Sequence, residues 1–195
     1  VVLAARTADG LRKTAEACAA YGGKAVPVPA DMTSEADIDA VFAACNAEFG
    51  RLDVLVNNAG AFDGGLIDEL STETWNKVIN TNLTAPFLCT RAAMRIMKPQ
   101  GVGRIINVSS VSAYRVRPTT AAYSATKAAL LGLTQVTALE GREFGVTCGC
   151  LLPGNTDVGR PQNRIPPEAR MRVVETDGGL FRAEDLARCR GAPPA

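Results

Sequence analysis

Short apolar runs alternate with longer amphipathic stretches along most of this chain. Residues 1–5 read V-V-L-A-A, with no polar side chain to face water, as in a parallel strand buried on both faces. Residues 11–20 predict a helix closed by Gly22 and Gly23. Residues 25–29 predict a second short strand, followed by Asp31. Residues 33–49 predict a second helix, capped by Thr33 or Ser34, with Ile38, Val41 and Phe42 turned inward and Gly50 as its stop. Residues 52–57 predict a third strand that runs straight into N-N-A-G. Residues 71–97 predict a long helix, kinked or broken at Pro86, with Pro99, Gly101 and Gly103 forming the next turn. A fourth strand is expected over 104–109, a loop over 111–120, a helix over about 121–144, and a fifth strand over 146–152 that ends at Pro153 and Gly154. The remainder is polar and broken by Pro, with two weak helical pieces near 167–174 and 183–189.

Strands alternating with helices predict an α/β fold, a doubly wound and mostly parallel sheet with helices on both faces. No linker or internal repeat interrupts the chain, so one domain is expected over 1–195. Such sheets bind ligands beyond the carboxyl ends of their strands. Arg6, Asp31, Asn57 to Gly60, Ser109, Ser110, Pro153 and Gly154 each follow a predicted strand.

Composition narrows the chemistry. A net charge of +1 with no Lys or Arg run argues against a nucleic-acid surface. No apolar stretch reaches membrane-spanning length. No secretion leader is recognisable and the six Cys form no C-x-x-C pair, so a reduced, cytoplasmic setting is expected. The absence of His removes Ser-His-Asp and Cys-His mechanisms and most zinc sites. No metal is expected, and acid–base work near neutral pH falls to another residue type.

That shifts attention to A-A-Y-S-A-T-K-A-A at 121–129, which carries Tyr123 and Lys127. A spacing of four on a helix puts both on one face, ~6 Å apart along the axis. A phenol is a poor base at neutral pH, and a cation a few Å away favours the phenolate. The alternative is a solvated surface pair.

Five motifs occur in order: N-N-A-G at 57–60, N-L at 82–83, N-V-S-S at 107–110, Y-S-A-T-K at 123–127 and P-G at 153–154. In these the chain resembles the short-chain dehydrogenase/reductase family, with its Rossmann-type sheet, over roughly 1–155. The resemblance implies that Tyr123 is the acid–base residue and that Lys127 tunes it and holds the nicotinamide ribose. It implies that Ser110 stabilises the substrate oxygen and that Asn82 holds a proton-relay water. It also implies cofactor contacts from Asn58, Ala59, Gly60, Tyr123, Lys127, Pro153 and Gly154. Each has a plainer alternative: Ser110 as a loop cap, Asn82 satisfying the kink near Pro86, N-N-A-G bracing the sheet. Asp31 is expected either to contact adenine or to cap a helix. A-A-R-T offers no carboxylate for a ribose hydroxyl, so Arg6 favours NADP (NADPH) over NAD by pairing with the 2′-phosphate.

The text departs from the family at both ends. It lacks the strand and Gly-rich turn, T-G-x-x-x-G-x-G, that would lie between the strands at 1–5 and 52–57. Those two strands are then expected to pair directly or to leave backbone groups unpaired. Thr156 follows Pro-Gly early, and the family's final strand is missing. The expectation is a fragment of a reductase, a chain with further residues at its termini, or the product of a misread gene boundary.

The leading expectation is an NADP(H)-dependent oxidoreductase interconverting a carbonyl and a secondary alcohol, of the 3-oxoacyl reductase type. The competing one is a non-catalytic dinucleotide-binding or interaction module, and a thiol-based redox protein comes third. A small-molecule substrate is expected, chosen by the loop after Pro-Gly and by 111–120, where Tyr114, Arg115 and Arg117 lie. By family analogy a homodimer or homotetramer forms through 72–98 and 121–143.

Overall fold

The computed structural model describes residues 1–154 together with the strand residues 156–157 and 181–182. Val1–Leu151 form one compact unit and Leu152–Ala195 a second. In the second unit, β6 (Thr156–Asp157) and β7 (Phe181–Arg182) pair in parallel. The helical pieces expected near 167–174 and 183–189 lie outside the described residues.

The first unit begins with β1 (Val2–Ala5), α1 (Ala8–Ala19) and β2 (Val26–Pro29), the strands pairing in parallel from Val2↔Val26 to Ala5↔Pro29. Helix α1 starts three residues before the apolar pattern. Asp9 sits in its first turn and binds Arg12 and Lys13 on the exposed face, a polar signal that hydrophobic periodicity does not register. Helix α2 (Glu35–Phe49) is capped by Ser34, whose Oγ accepts from the Asp37 amide, and ends at Gly50 with φ 64°.

Strands β3 (Val54–Asn57), β4 (Gly103–Val108) and β5 (Val146–Leu151) form a parallel three-stranded sheet. β1 and β3 do not pair with each other, so the first unit contains a two-stranded and a three-stranded sheet. Of the two arrangements expected from the departure at the amino end, direct pairing is thus not adopted.

The helical stretch after β3 is divided. α3 (Thr72–Ile79) and α4 (Ala85–Gln100) are joined by a π-helical turn over Asn80–Thr84, so the break precedes Pro86 instead of falling on it. Pro86 has no amide to give to the Asn82 carbonyl, and its ring would press on that carbonyl in a regular helix. The wider turn accommodates both. α4 also runs through Pro99, which was expected in the following turn. Its last turn is anchored from outside: the Gln100 amide accepts from Leu52 N at 2.9 Å and donates to Leu52 O at 2.8 Å. Gly101, with φ 72°, then ends it.

Ala93, Met94 and Met97 of α4 pack on Ile105 and Val146, with Phe42, Leu52 and Leu55 around them. Burying each large side chain of this kind stabilises the fold by roughly 1.5–3 kcal/mol. Strand alternation turns Val54 and Val56 to the other side of β3, where they are 49% and 46% exposed. Helix α5 (Ala121–Gly141) also packs on β5 and continues into a 3₁₀ turn at Arg142–Phe144 before Gly145 reverses the chain. The loop over 111–120 contains a short 3₁₀ turn at Val111–Ala113.

Candidate active site

Lys127 lies in the second turn of α5 and is buried, 5% exposed. Its Nζ donates to the Val108 carbonyl at 2.8 Å, and the adjacent Ser109 hydroxyl donates to the Lys127 carbonyl at 2.7 Å. The end of β4 therefore grips this one helical residue by side chain and backbone. Burial pulls the Lys127 ammonium below its ordinary pKa, against a smaller opposing effect from Cys150. A surface pair does not describe this residue.

One turn earlier, Tyr123 is half-buried and its ring centroid lies 5.6 Å from Lys127 Nζ. The predicted shared face is present. A groove of about 550 Å³ lies beside Ser124, Ala125 and Ala128 and is lined also by Leu66, Ile67 and Val116. At about 100° per residue Ala125 and Ala128 lie roughly 100–160° around α5 from Tyr123 and Lys127, with Ser124 at the border. Neither Tyr123 nor Lys127 lines the groove.

Asn82 sits in the π turn and is fully buried. Its Oδ1 accepts from Ala61 N at 2.7 Å, and its Nδ2 donates to Ala61 O at 2.8 Å and to Thr126 Oγ1 at 3.3 Å. The amide thus fixes the segment after N-N-A-G, an arrangement that neither of the expectations for Asn82 contained. A Cβ built at Gly60 would face Asn82 Oδ1 at 3.6 Å and Lys127 Nζ at 3.9 Å. N-N-A-G, Asn82 and Lys127 therefore converge. Asn58, Ala59 and Gly60 are exposed, so the backbone beside this cluster is open to a ligand.

Asn57 points the other way, into the sheet–helix boundary. Its Nδ2 donates to Asn107 Oδ1 at 2.8 Å and to Thr90 Oγ1 at 3.2 Å, while Asn107 Nδ2 donates to Thr134 Oγ1 at 2.9 Å. Asn107, Thr90 and Thr134 were not anticipated. The signal was a polar residue at an inward position, Asn107 on β4, Thr90 on α4 and Thr134 on α5, each of which must find partners to be buried. Ser110 is half-buried, and its Oγ accepts from Ser112 N at 3.1 Å at the start of the 3₁₀ turn. The loop-capping alternative is thus realised. Accepting through one lone pair leaves the hydroxyl hydrogen able to donate.

Arg6 and Asp31 follow the paired strands β1 and β2 and are both exposed, and the Arg6 charge helps to stabilise the Asp31 carboxylate. Hydrogen bonds from Thr33 hold Asp31 below the usual carboxylate range first: Oδ1 accepts from the Thr33 amide at 2.9 Å and its hydroxyl at 2.8 Å. This is a turn leading into α2, whose cap is Ser34. Pro153 and Gly154 belong to the second unit. Burial pushes the Cys89 and Cys148 thiols up to about 11, which makes both poor nucleophiles. Among the described residues no cluster could hold a metal ion, and no helix is long and apolar enough to cross a membrane.

The family model described as short chain dehydrogenase matches residues 1–168. The oxidoreductase YxjF of Bacillus subtilis (strain 168) is 37% identical over 172 residues, covering 88% of this chain and 67% of that protein. A 3-oxoacyl-[acyl-carrier-protein] reductase of Synechocystis sp. is 38% identical over 170 residues, covering 84% of this chain and 69% of the relative. A crystal structure of a 3-ketoacyl-(acyl-carrier-protein) reductase from Brucella melitensis complexed with NADH superposes with a TM-score of 0.86 at 29% identity, covering 97% of this chain and 78% of that one.

Proposed function

This chain belongs to the short-chain dehydrogenase/reductase family of oxidoreductases, and on that footing we propose that it interconverts a carbonyl and a secondary alcohol with NADP(H). The observation that carries the reading is the buried Lys127 ammonium held between Val108 O and the Tyr123 ring, next to Gly60. A desolvated ammonium is costly. Here it stands beside the Tyr123 ring, where its remaining N–H groups can meet a ribose hydroxyl.

The donor set fits a nicotinamide dinucleotide. Lys127 Nζ and the Tyr123 hydroxyl hold the ribose, and the exposed backbone of Asn58, Ala59 and Gly60 lies along the cofactor. Asp31, through its carboxylate oxygen not used by Thr33, accepts from the adenine amine. Arg6 pairs with the 2′-phosphate. When bound, the nicotinamide supplies or accepts a hydride at the carbonyl carbon. Tyr123 Oη gives a proton to the carbonyl oxygen in reduction and takes it back in oxidation. Ser110 donates to the same oxygen and offsets its developing charge. Asn82 contributes by fixing Ala61, and a water at its side relays protons toward Lys127.

The similarity to the Synechocystis reductase supports a 3-oxoacyl compound or a related 3-oxo ester as substrate. We place the protein in the cytoplasm. We also assign it a homodimer or tetramer in which α5 meets a second copy through the exposed positions Ala125, Ala128, Ala129, Gly132, Val136 and Leu139, spaced along one stripe.

The test is reduction of ethyl acetoacetate, followed as loss of reduced-nicotinamide absorbance, with Tyr123→Phe and Arg6→Ser. Tyr123→Phe is expected to lower kcat at least 10²-fold, as loss of a general acid does. Arg6→Ser is expected to raise KM for NADPH about tenfold and to leave NADH unchanged. Turnover that survives Tyr123→Phe overturns the mechanism, and equal effects on both cofactors overturn the preference.

A further inference from the structure

Phe62 is a large apolar side chain 68% exposed to water, directly after the segment that Asn82 fixes. Exposed aromatic rings on loops normally move. This one stands on backbone tied on both sides. Ala61 is bonded through both its N–H and its C=O to Asn82. Asp63 pairs with Lys77 at 2.8 Å and accepts from Gly64 N at 3.0 Å. Gly64 in turn lies so close to Thr119 that a Cβ would collide with its carbonyl. The Phe62 ring meets the Tyr123 ring edge-on, with centroids 5.1 Å apart and planes at 66°.

We infer that Phe62 is the specificity-determining wall of the carbonyl site, selecting substrates that carry a flat apolar group next to the reacting carbon. This rests on the reading of Tyr123 as the acid–base residue and goes beyond it. A carbonyl oxygen at the Tyr123 hydroxyl puts one substituent of that carbonyl beside Phe62. The ring is held, so it loses little freedom when a ligand arrives, and its exposed face is apolar surface that water covers poorly. A phenyl group stacked or set edge-on there gains an aromatic contact, and a methyl group gains little.

The probes are ethyl benzoylacetate and ethyl acetoacetate, which differ only in phenyl against methyl on the reacting carbonyl. In Phe62→Ala, the ratio of kcat/KM for the phenyl to the methyl ester is expected to fall about fivefold to tenfold. Phe62→Leu, which keeps apolar bulk, is expected to lie between Phe62→Ala and wild type. An unchanged ratio, including a parallel loss on both esters, overturns the wall. A second readout needs no turnover: saturation transfer from protein to the phenyl protons of ethyl benzoylacetate, measured by NMR with NADPH present. Wild type is expected to saturate them and Phe62→Ala to lose most of the effect. Absence of saturation in wild type overturns the wall whether or not the protein turns over. Saturation that depends on Phe62, with turnover indifferent to Tyr123→Phe, overturns the catalytic reading alone.

Discussion

Replacing Asn82 tests the internal logic of the site. Its amide carries an acceptor and a donor on separate atoms, and it uses both on Ala61, at 2.7 and 2.8 Å. Asn82→Ala removes both bonds and the weaker one to Thr126 from a fully buried position. Each net bond is worth about 1 kcal/mol, and each partner left unpaired adds a desolvation penalty, so the expected loss is about 2–4 kcal/mol. With a urea slope of about 2 kcal/mol/M, the unfolding midpoint falls by about 1–2 M. Asn82→Asp keeps the shape and sharpens the test. Its carboxylate sets an oxygen against the Ala61 carbonyl where Nδ2 stood, so at neutral pH it is expected to cost at least as much as Ala. Protonation restores a donor. The folded-state pKa of this Asp is therefore raised, and its deficit shrinks as pH falls through that value. Urea melts of the three proteins at neutral and acidic pH decide the matter. The reasoning fails if Asn82→Ala unfolds within about 0.5 kcal/mol of wild type, or if Asn82→Asp matches wild type at neutral pH.

The buried Lys127 predicts an alkaline effect. Its folded pKa is lowered from 10.5, so between that lowered value and 10.5 the unfolded chain binds more protons and stability rises with pH. Wild type should therefore gain on Lys127→Met as pH rises toward 10.5 in urea melts, and a flat or falling difference would contradict the cause. Gly64→Ala drives a methyl into the Thr119 backbone, already at φ 66°, and should cost about 1–3 kcal/mol, read as a thermal midpoint lower by ~2–4 °C per kcal/mol. A melt unchanged from wild type would show that the two loops part freely. In the Asn57–Asn107 pair, each single change to Ala removes the 2.8 Å bond between two buried amides, which keep their bonds to Thr90 and Thr134. A double-mutant cycle should show a coupling of about 1–2 kcal/mol, and additive losses would mean that the pair is not a unit.

The period of apolar residues was enough to place five strands and the helices between them, because burial on a sheet or against a helix imposes a repeat that the chain itself must carry. Tyr123 and Lys127 were legible as a pair for the same reason: their separation is local, and α5 delivers it. What lies between elements was not legible. Nothing local distinguishes a solvated Lys from one whose ammonium is held by Val108, 19 residues away. Asn82 was visible as a polar residue near Pro86, but its attachment to Ala61 needs the π turn that swings it inward. Phe62 carried no motif at all, and its position against Tyr123 exists only because Asn82, Lys77 and Thr119 hold the segment around it. Periodicity is written along the chain by short-range geometry. Which hydrogen-bonding group meets which partner is decided where distant segments are brought together and each buried polar atom must be satisfied.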